Sequence, residues 1–411
     1  MHALVKAAVK QQAVPLFTAA MADAAEKLYL NEQCILVYRG EFWTAKQRQA
    51  VSIHEISYRA CFKPQLPAYF ISRLTAPGDV VYDPFSGRGT TAVEAALHGR
   101  RVIANDFNPL SALLTRPRLE LPDLEAISTR LAEIDLDAKS TVALDLSMFF
   151  HDDTLREIAA LRDYLISRHA QDQEDAVDRW IRMVATNRLT GHSKGFFSVY
   201  TLPPNQATSA QRQIKINQQR AQTPGYRDTR ALILKKSRQL QRGITAEQRA
   251  SLHAAAARAR FMTGKADATH GMADASVQLT VTSPPFLDIV QYANDNWLRC
   301  WFNNLDADAI AAGITMSRTI EDWNAAMARV FTELYRVTRK NGWVAFEVGE
   351  VRKGTIRLEE HVAPTGIAAG FECEAILFNE QQFTKTANIW GVGNNNAGTN
   401  SNRIVILRKR G

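Results

Sequence analysis

A chain of 411 residues, 46% hydrophobic and 22% charged, is long enough for one large domain or two ordinary ones with a sizeable core, which excludes a mini-scaffold or a disordered tail protein. No stretch approaches the roughly 18 uncharged apolar residues of a membrane span, and Lys6, Lys10, Asp23 and Glu26 break up any signal-peptide core, so a cytoplasmic chain without a membrane partner is expected. The net charge of +8 is unevenly spread: residues 181–260 hold fifteen Lys/Arg against two acids, a surplus of +13 that leaves −5 for the rest, so a polyanion-facing segment is expected within a mildly acidic body.

The clearest local grammar lies at 79–118. Asp79-Val-Val-Tyr-Asp-Pro-Phe85 is a short buried-strand pattern that runs into Ser-Gly-Arg-Gly-Thr-Thr, then a helix from Ala92 to Leu97 stopped by Gly99. A second apolar strand, Arg101 to Asp106, and a helix start at Pro109 complete a βαβ unit of a parallel sheet. Residues 119–262 read as an inserted, largely helical region: an acidic helical stretch from Asp152 to Arg179, then the basic segment, punctuated by Gly191, Gly195, Pro203-Pro204 and Pro224-Gly225. Over 263–411 the α/β grammar resumes. Strands are expected at Val277–Thr282, Gly342–Glu350, Glu372–Phe378 and Arg403–Leu407, and helices at Ile320–Arg339 and Glu359–Ala369; the Asn/Gly-rich 393–400 suits a loop.

Four scattered cysteines, Cys34, Cys61, Cys300 and Cys373, have neither CxxC spacing nor a nearby His, so a zinc site or disulfide framework is not expected and no metal is assigned. The turn Asp83-Pro84-Phe85-Ser-Gly87-Arg-Gly89-Thr90-Thr91 lets backbone approach a ligand closely at a helix N-terminus, which implies a nucleotide-like cofactor. It lacks the Walker ending and is not GxGxxG, so a phosphate cradle is disfavoured. Asp106, 23 residues after Asp83 and closing the next strand, is spaced to accept hydrogen bonds from ribose hydroxyls; the plainer alternative is a capping residue. In Thr282-Ser283-Pro284-Pro285-Phe286, two prolines after a buried strand leave carbonyls that only accept, beside a hydroxyl and an aromatic face. Such a site suits an amino group on a planar ring. In isolation, Ser283-Pro284-Pro285-Phe286 reads first as a Pro-Pro loop with a buried Phe.

Together these residues resemble the DNA amino-methyltransferases, which use S-adenosylmethionine to methylate exocyclic nitrogens of cytosine or adenine: DPFxGxGTT and SPPF both match, and Tyr58 to Pro64 is similar to the family's cofactor-covering segment. The likeness covers about 54–112 and 264–350. It implies a Rossmann-like α/β sheet, mostly parallel with an antiparallel last strand. It also implies that Asp83, Pro84, Phe85, Gly87, Gly89 and Thr90 shape the cofactor pocket, that Asp106 holds the ribose, and that Phe62 and Lys63 close one side. Ser283, Pro284, Pro285 and Phe286 would hold a flipped base. Two departures stand out. Gly264 is followed by Lys265 where the family often has Asp, leaving Asp267 as the candidate for the adenine contact, and the long insertion falls between the ribose-binding and catalytic strands.

None of the cysteines follows a proline, so C5 chemistry is disfavoured, and Ser before Pro-Pro tilts the choice toward cytosine N4. The alternatives are N6-adenine methylation of DNA, an RNA substrate, or a binding module without turnover. Double-stranded DNA is the expected partner, and a companion restriction endonuclease is one that the resemblance allows. Arg212, Lys215, Arg220, Arg227, Lys235, Lys236 and Arg238 are expected to meet phosphates, and Gln206, Gln211, Gln213, Asn217 or Gln218 to reach base edges. His54, His192 and His270 read as structural, the aromatic face Tyr292, Trp297, Trp301 as core, and Trp390 with Asn394 to Asn400 as a second candidate lining of the target pocket.

Overall fold

The structure, a computed structural model, describes residues 16, 25–30, 33–44, 50–59, 61–202, 207–285, 287, 292–314, 317, 319–351, 355–380 and 401–411. Phe286, Gln206 and the 393–400 loop with Trp390 lie outside the described residues. Nine strands form one sheet: β1 (Glu26–Leu30), β2 (Gln33–Gly40), β3 (Val80–Asp83), β4 (Arg101–Asp106), β5 (Arg260–Thr263), β6 (Val277–Thr282), β7 (Thr338–Val348), β10 (Glu372–Glu380) and β11 (Ser401–Arg408). A short ribbon, β8 (Glu350–Val351) with β9 (Ile356–Arg357), stands apart. The spatial order is β1-β2-β10-β11-β7-β6-β3-β4-β5. From β7 to β5 all neighbours are parallel, whereas β11 runs antiparallel to both β7 and β10. The expected mostly parallel α/β sheet with an antiparallel last strand is therefore observed. The pair β1–β2, which extends the sheet beyond β10, was not foreseen in the sequence.

Order along the chain runs outward from β3 through β4 to β5, then returns to the other side of β3 for β6 and β7. That reversal opens a crevice between the carboxyl ends of β3 and β6, the place where open α/β sheets bind ligands.

The helices on this half are α1 (Gln65–Leu74), α2 (Thr90–Leu97) and α3 (Leu110–Glu120). The insertion supplies α4 (Leu124–Glu133), α5 (Asp152–Ala170), α6 (Ala176–Arg188), α7 (Ala210–Gln219), α8 (Thr229–Gln241) and α9 (Ala246–Ala256). The acidic stretch is thus two helices, because Asp175 starts α6 with a capping box to Asp178. After β6 come α10 (Tyr292–Phe302), α11 (Ala307–Gly313), α12 (Ile320–Val337) and α13 (Glu359–Ala368). In α12 the buried Trp323, Met327, Val330, Phe331, Leu334 and Val337 recur at helical spacing, and Phe331 meets Phe346 of β7 at 4.8 Å between ring centres.

Two cores flank the sheet. One packs Tyr82, Val277, Phe331, Phe346 and Val405. The other is continuous from Val93, Leu279 and Val281 into Trp180, Ile181, Ile233, Leu240 and Leu252 of the insertion. The insertion is largely helical as expected, yet it shares its core with the sheet, and the expected boundary at 262 falls inside β5. Among the described residues no helix is long and apolar enough to cross a membrane, and no group of three His, Cys, Asp or Glu could hold a metal ion.

Candidate functional site

The strand–turn–helix grammar at β3 has a physical cause at each glycine. Gly87 has φ +51° and Gly89 φ +74°, both in the left-handed region that side chains avoid. At Gly89 a Cβ would also lie 2.1 Å from the Thr115 hydroxyl of α3. The residue between them, Arg88, is buried and acts as a staple. Its guanidinium donates to the Ile56 carbonyl at 3.0 Å, the Phe62 carbonyl at 3.4 Å and the Thr90 hydroxyl at 3.2 Å, tying residues 56–62 over the turn. Buried Arg118 of α3 in turn donates to the Arg88 carbonyl.

Asp106, at the end of β4, accepts from Gly87 N at 2.7 Å through one oxygen and from Asn108 N at 2.9 Å through the other. Burial pushes its carboxyl up to about 6 despite both donors. Asp83 is more enclosed. Its Oδ1 accepts from Phe85 N at 3.2 Å and from the Thr282 hydroxyl at 2.6 Å, and burial raises it to about 7 despite these donors. The Thr282–Asp83 bond joins the two sequence motifs directly, from β6 to its neighbour β3.

These turns open into one cavity of about 370 Å³. Its wall carries Phe62, Phe85, Gly87, Asp106 and Asp267 from the expected cofactor set, and Ser283, Pro284 and Pro285 from the expected target set. Asp83 and Thr90 are buried behind this wall, Pro84 receives the Asn105 amide on its carbonyl, and Gly89 packs on Thr115; these shape the turn from behind. Lys63 is also absent from the wall, and burial lowers its ammonium. Asp267 lines the cavity while pairing with Arg329 at 3.0 Å.

The sequence alone gives no pointer to Glu347. It is the residue of β7 beside Ser283, given the Thr282–Phe346 register, and it accepts from the Asn402 amide of β11 at 3.0 Å. Burial raises its carboxyl, while hydrogen bonds from Ser283 and Asn402 work the other way. Asp295 is the second such residue: on α10 it pairs with Arg59 at 2.7 Å, locking the covering segment to the helix after the Pro-Pro turn. Both contacts join residues far apart in sequence, which periodicity cannot reveal. Trp297 packs against Phe149 and donates to the Thr208 carbonyl, in keeping with its reading as core. His54 is buried beside Glu94.

The basic insertion is less uniform than its charge suggests. Arg212, Lys215, Arg220, Lys235 and Arg238 are exposed, with the Arg220 guanidinium stacked 3.9 Å over the Tyr200 ring. Arg227 is partly buried. Lys236 corrects the expectation of a phosphate contact: it is buried, hydrogen-bonded to Gln239 at 3.2 Å, and its ammonium is lowered to about 8. Gln213 is corrected likewise, since it is fully buried and donates to the Tyr200 carbonyl and Asn217, and Asn217 itself donates to the Met148 carbonyl. Arg182 pairs with Glu174, Arg230 donates to the Leu131 and Ile134 carbonyls, and Arg249 to the Leu121 carbonyl, so part of the surplus is internal scaffolding.

Comparison with known proteins gives matches to parts of the chain. Residues 22–110 match the sequence model of the DNA methylase family and so carry its signature. The Type II methyltransferase M.MjaII of Methanocaldococcus jannaschii is 31% identical over 91 residues, 22% of this chain and 17% of that protein. M.MvaI, a Type II methyltransferase of Kocuria varians, is 25% identical over 128 residues, 30% of this chain and 25% of that protein. A tRNA (guanine(37)-N(1))-methyltransferase of Leishmania braziliensis is 37% identical over 86 residues, 18% and 12% of the two chains. The chain thus spans a quarter or less of the length of these relatives. Among solved structures, TTHA0409 of Thermus thermophilus with S-adenosyl-L-methionine is 22% identical over 34% of this chain and 48% of that one, with a TM-score of 0.21. The rRNA methyltransferase aviRa of Streptomyces viridochromogenes is 13% identical over 89% and 93%, with a TM-score of 0.34.

Proposed function

We propose that the chain is a DNA amino-methyltransferase that uses S-adenosylmethionine and acts on the exocyclic N4 of a flipped cytosine. The observation that carries this reading is the meeting of the Asp83–Thr91 turn and the Ser283-Pro284-Pro285 turn in one cavity at the sheet's reversal point, joined by the Thr282–Asp83 hydrogen bond. The match of residues 22–110 to the DNA methylase family supports it.

The residues present fit the cofactor. Asp106 is an acceptor at the cavity wall, with both oxygens braced by backbone N–H groups, as vicinal ribose hydroxyls require. A Cβ on Gly87 would already meet the Tyr58 ring at 3.7 Å, and among the described residues the buried Ser86 hydroxyl has no hydrogen-bond partner. A volume of about 370 Å³ suits a nucleoside-sized ligand. When bound, S-adenosylmethionine supplies a methyl group activated on a sulfonium.

The protein's part is orientation. The Pro284 carbonyl and the Ser283 hydroxyl accept hydrogen bonds from an amino group entering over the Pro-Pro turn. Drawing both N–H bonds to one side favours a pyramidal nitrogen whose lone pair points away from them. Phe286 is assigned to stack on the ring. Arg212, Lys215, Arg220, Lys235 and Arg238 are assigned to duplex phosphates. The test is transfer of tritium from labelled cofactor to duplex DNA by wild type and by Ser283→Ala, with cofactor affinity measured calorimetrically alongside. Transfer that survives unchanged in Ser283→Ala would move the target pocket elsewhere.

A further inference from the structure

We infer that Glu347 reads the ring edge of the target base, its carboxyl group donating a hydrogen bond to the ring nitrogen beside the amino group. This deepens the amino-methyltransferase reading and rests on it. Four observations carry the inference. Glu347 lines the cavity next to Ser283. It sits on the strand immediately beside β6, so its side chain and the Pro-Pro turn face the same space. It is buried, and among the described residues its partners are the neutral groups of Ser283 and Asn402. Among the described residues it makes no ion pair, although every other carboxylate named on the wall has a cation or two backbone donors.

The complementarity is chemical. Cytosine places the acceptor N3 next to the N4 amino group, and adenine places N1 next to N6. A carboxylate is acceptor-only and would face the ring nitrogen's lone pair with another lone pair. A neutral carboxyl whose one oxygen accepts from Asn402 presents O–H on the other to the ring nitrogen, leaving the two amino N–H bonds to Ser283 and Pro284. Thymine and uracil carry N3–H there, so a carboxyl whose acceptor oxygen is held by Asn402 meets donor with donor.

The surroundings favour the neutral form. Burial raises the Glu347 carboxyl. The charged groups on the cavity wall are the pairs Arg59–Asp295 and Arg329–Asp267, with Asp106, Lys265 and Arg299, the last bonded to Asn296 and the Ser57 carbonyl. From the β11 side, Arg403 is spent on Glu359 at 2.6 Å. Recognition should therefore weaken as pH rises and Glu347 ionises.

The experiment first maps the methylated site by sequencing DNA treated with wild-type enzyme, then compares Glu347→Gln and Glu347→Leu on a duplex of that site. Gln keeps a donor to the ring nitrogen and an acceptor for Asn402 at all pH values; Leu keeps the volume and removes both. Two quantities are read: kcat/KM, and equilibrium binding of cofactor-free protein to the same duplex with the partner of the target base made abasic. The inference expects Leu to lower kcat/KM about 100-fold and weaken abasic-duplex binding, and Gln to restore both to within about five-fold, since an unmet polar edge is what discriminates in such pockets. Cofactor affinity stays unchanged in both variants. The wild-type rate falls with rising pH where the Gln variant is flat. Gln as poor as Leu shows that an anion is required, and Leu equal to wild type shows that the base is read elsewhere; either overturns the inference alone. If Leu fails to fold, the paired pH profiles decide. No transfer by wild type to any DNA overturns the underlying reading and this inference with it.

Discussion

The cavity and the basic insertion are both conspicuous in the sequence, but they relate to it in opposite ways. At the cavity, each residue type sits where a backbone constraint demands it: glycines at φ +51° and +74°, an aspartate closing each of two adjacent strands, prolines just after a third. In the insertion the signal is a sum, +13 over eighty residues, and a sum does not say which way a side chain points. Neighbouring Lys235 and Lys236 make the point, one exposed and the other buried with a lowered ammonium. Pattern that is enforced by backbone geometry transfers from sequence to structure; pattern that is only compositional must be sorted residue by residue.

The largest effect that would break this contrast is expected at Gly89. Gly89→Val places a branched side chain at positive φ and against Thr115, so it should destabilise the fold by about 3 kcal/mol or more and abolish cofactor binding. Thermal unfolding and calorimetry check it, and a variant with wild-type stability would remove the geometric explanation for the turn. Next is Asp106→Ala, expected to weaken S-adenosylmethionine about 100-fold by calorimetry through loss of a charged acceptor, with the fold retained.

Asp83 should leave a mark on stability. Its carboxyl is raised to about 7 by burial, so the protonated form is the one the fold prefers. Stability from this group is full below the unfolded value near 4 and is lost as pH rises through about 7. Asp106, raised to about 6, acts in the same direction. Denaturant unfolding at pH 5 and pH 8 should therefore show a larger loss for wild type than for Asp83→Asn, and equal losses in the two proteins would contradict the burial argument.

The insertion yields smaller, more distributed effects. Neutralising Arg212, Lys235 and Arg238 together should flatten the salt dependence of duplex binding by about three phosphate contacts. Lys236→Met, by contrast, should leave the salt slope unchanged and stability equal or slightly higher, because a buried cation is being exchanged for an apolar chain of similar length. A salt slope altered as much by Lys236→Met as by Lys235→Met would erase the distinction between the two lysines.

How much could be read in advance follows the same division. The antiparallel direction of β11 comes only from the family resemblance, whereas strand Val277–Thr282, strand Arg101–Asp106, strand Arg403–Leu407 and the start of helix Ile320 are legible as local apolar runs. The pair β1–β2 is not: its burial alternates only partly, and its place in the sheet depends on pairing with β10, more than three hundred residues away. The same holds at the site. Gly87, Asp106 and Ser283 announce themselves through motif spacing, whereas Glu347 becomes visible only once β7 lies beside β6 and Asn402 reaches it from β11. Arg88 is a further case, a motif position open to any residue that the fold uses to hold down the covering segment.

The central claim is that this cavity delivers a methyl group to an exocyclic amino group, and the product itself is its most direct test. DNA methylated by the protein is digested to nucleosides and separated by mass spectrometry. The account predicts N4-methylcytosine; N6-methyladenine as the sole product would refute the choice of base while keeping the chemistry, and 5-methylcytosine, or no methylated nucleoside, would contradict the account.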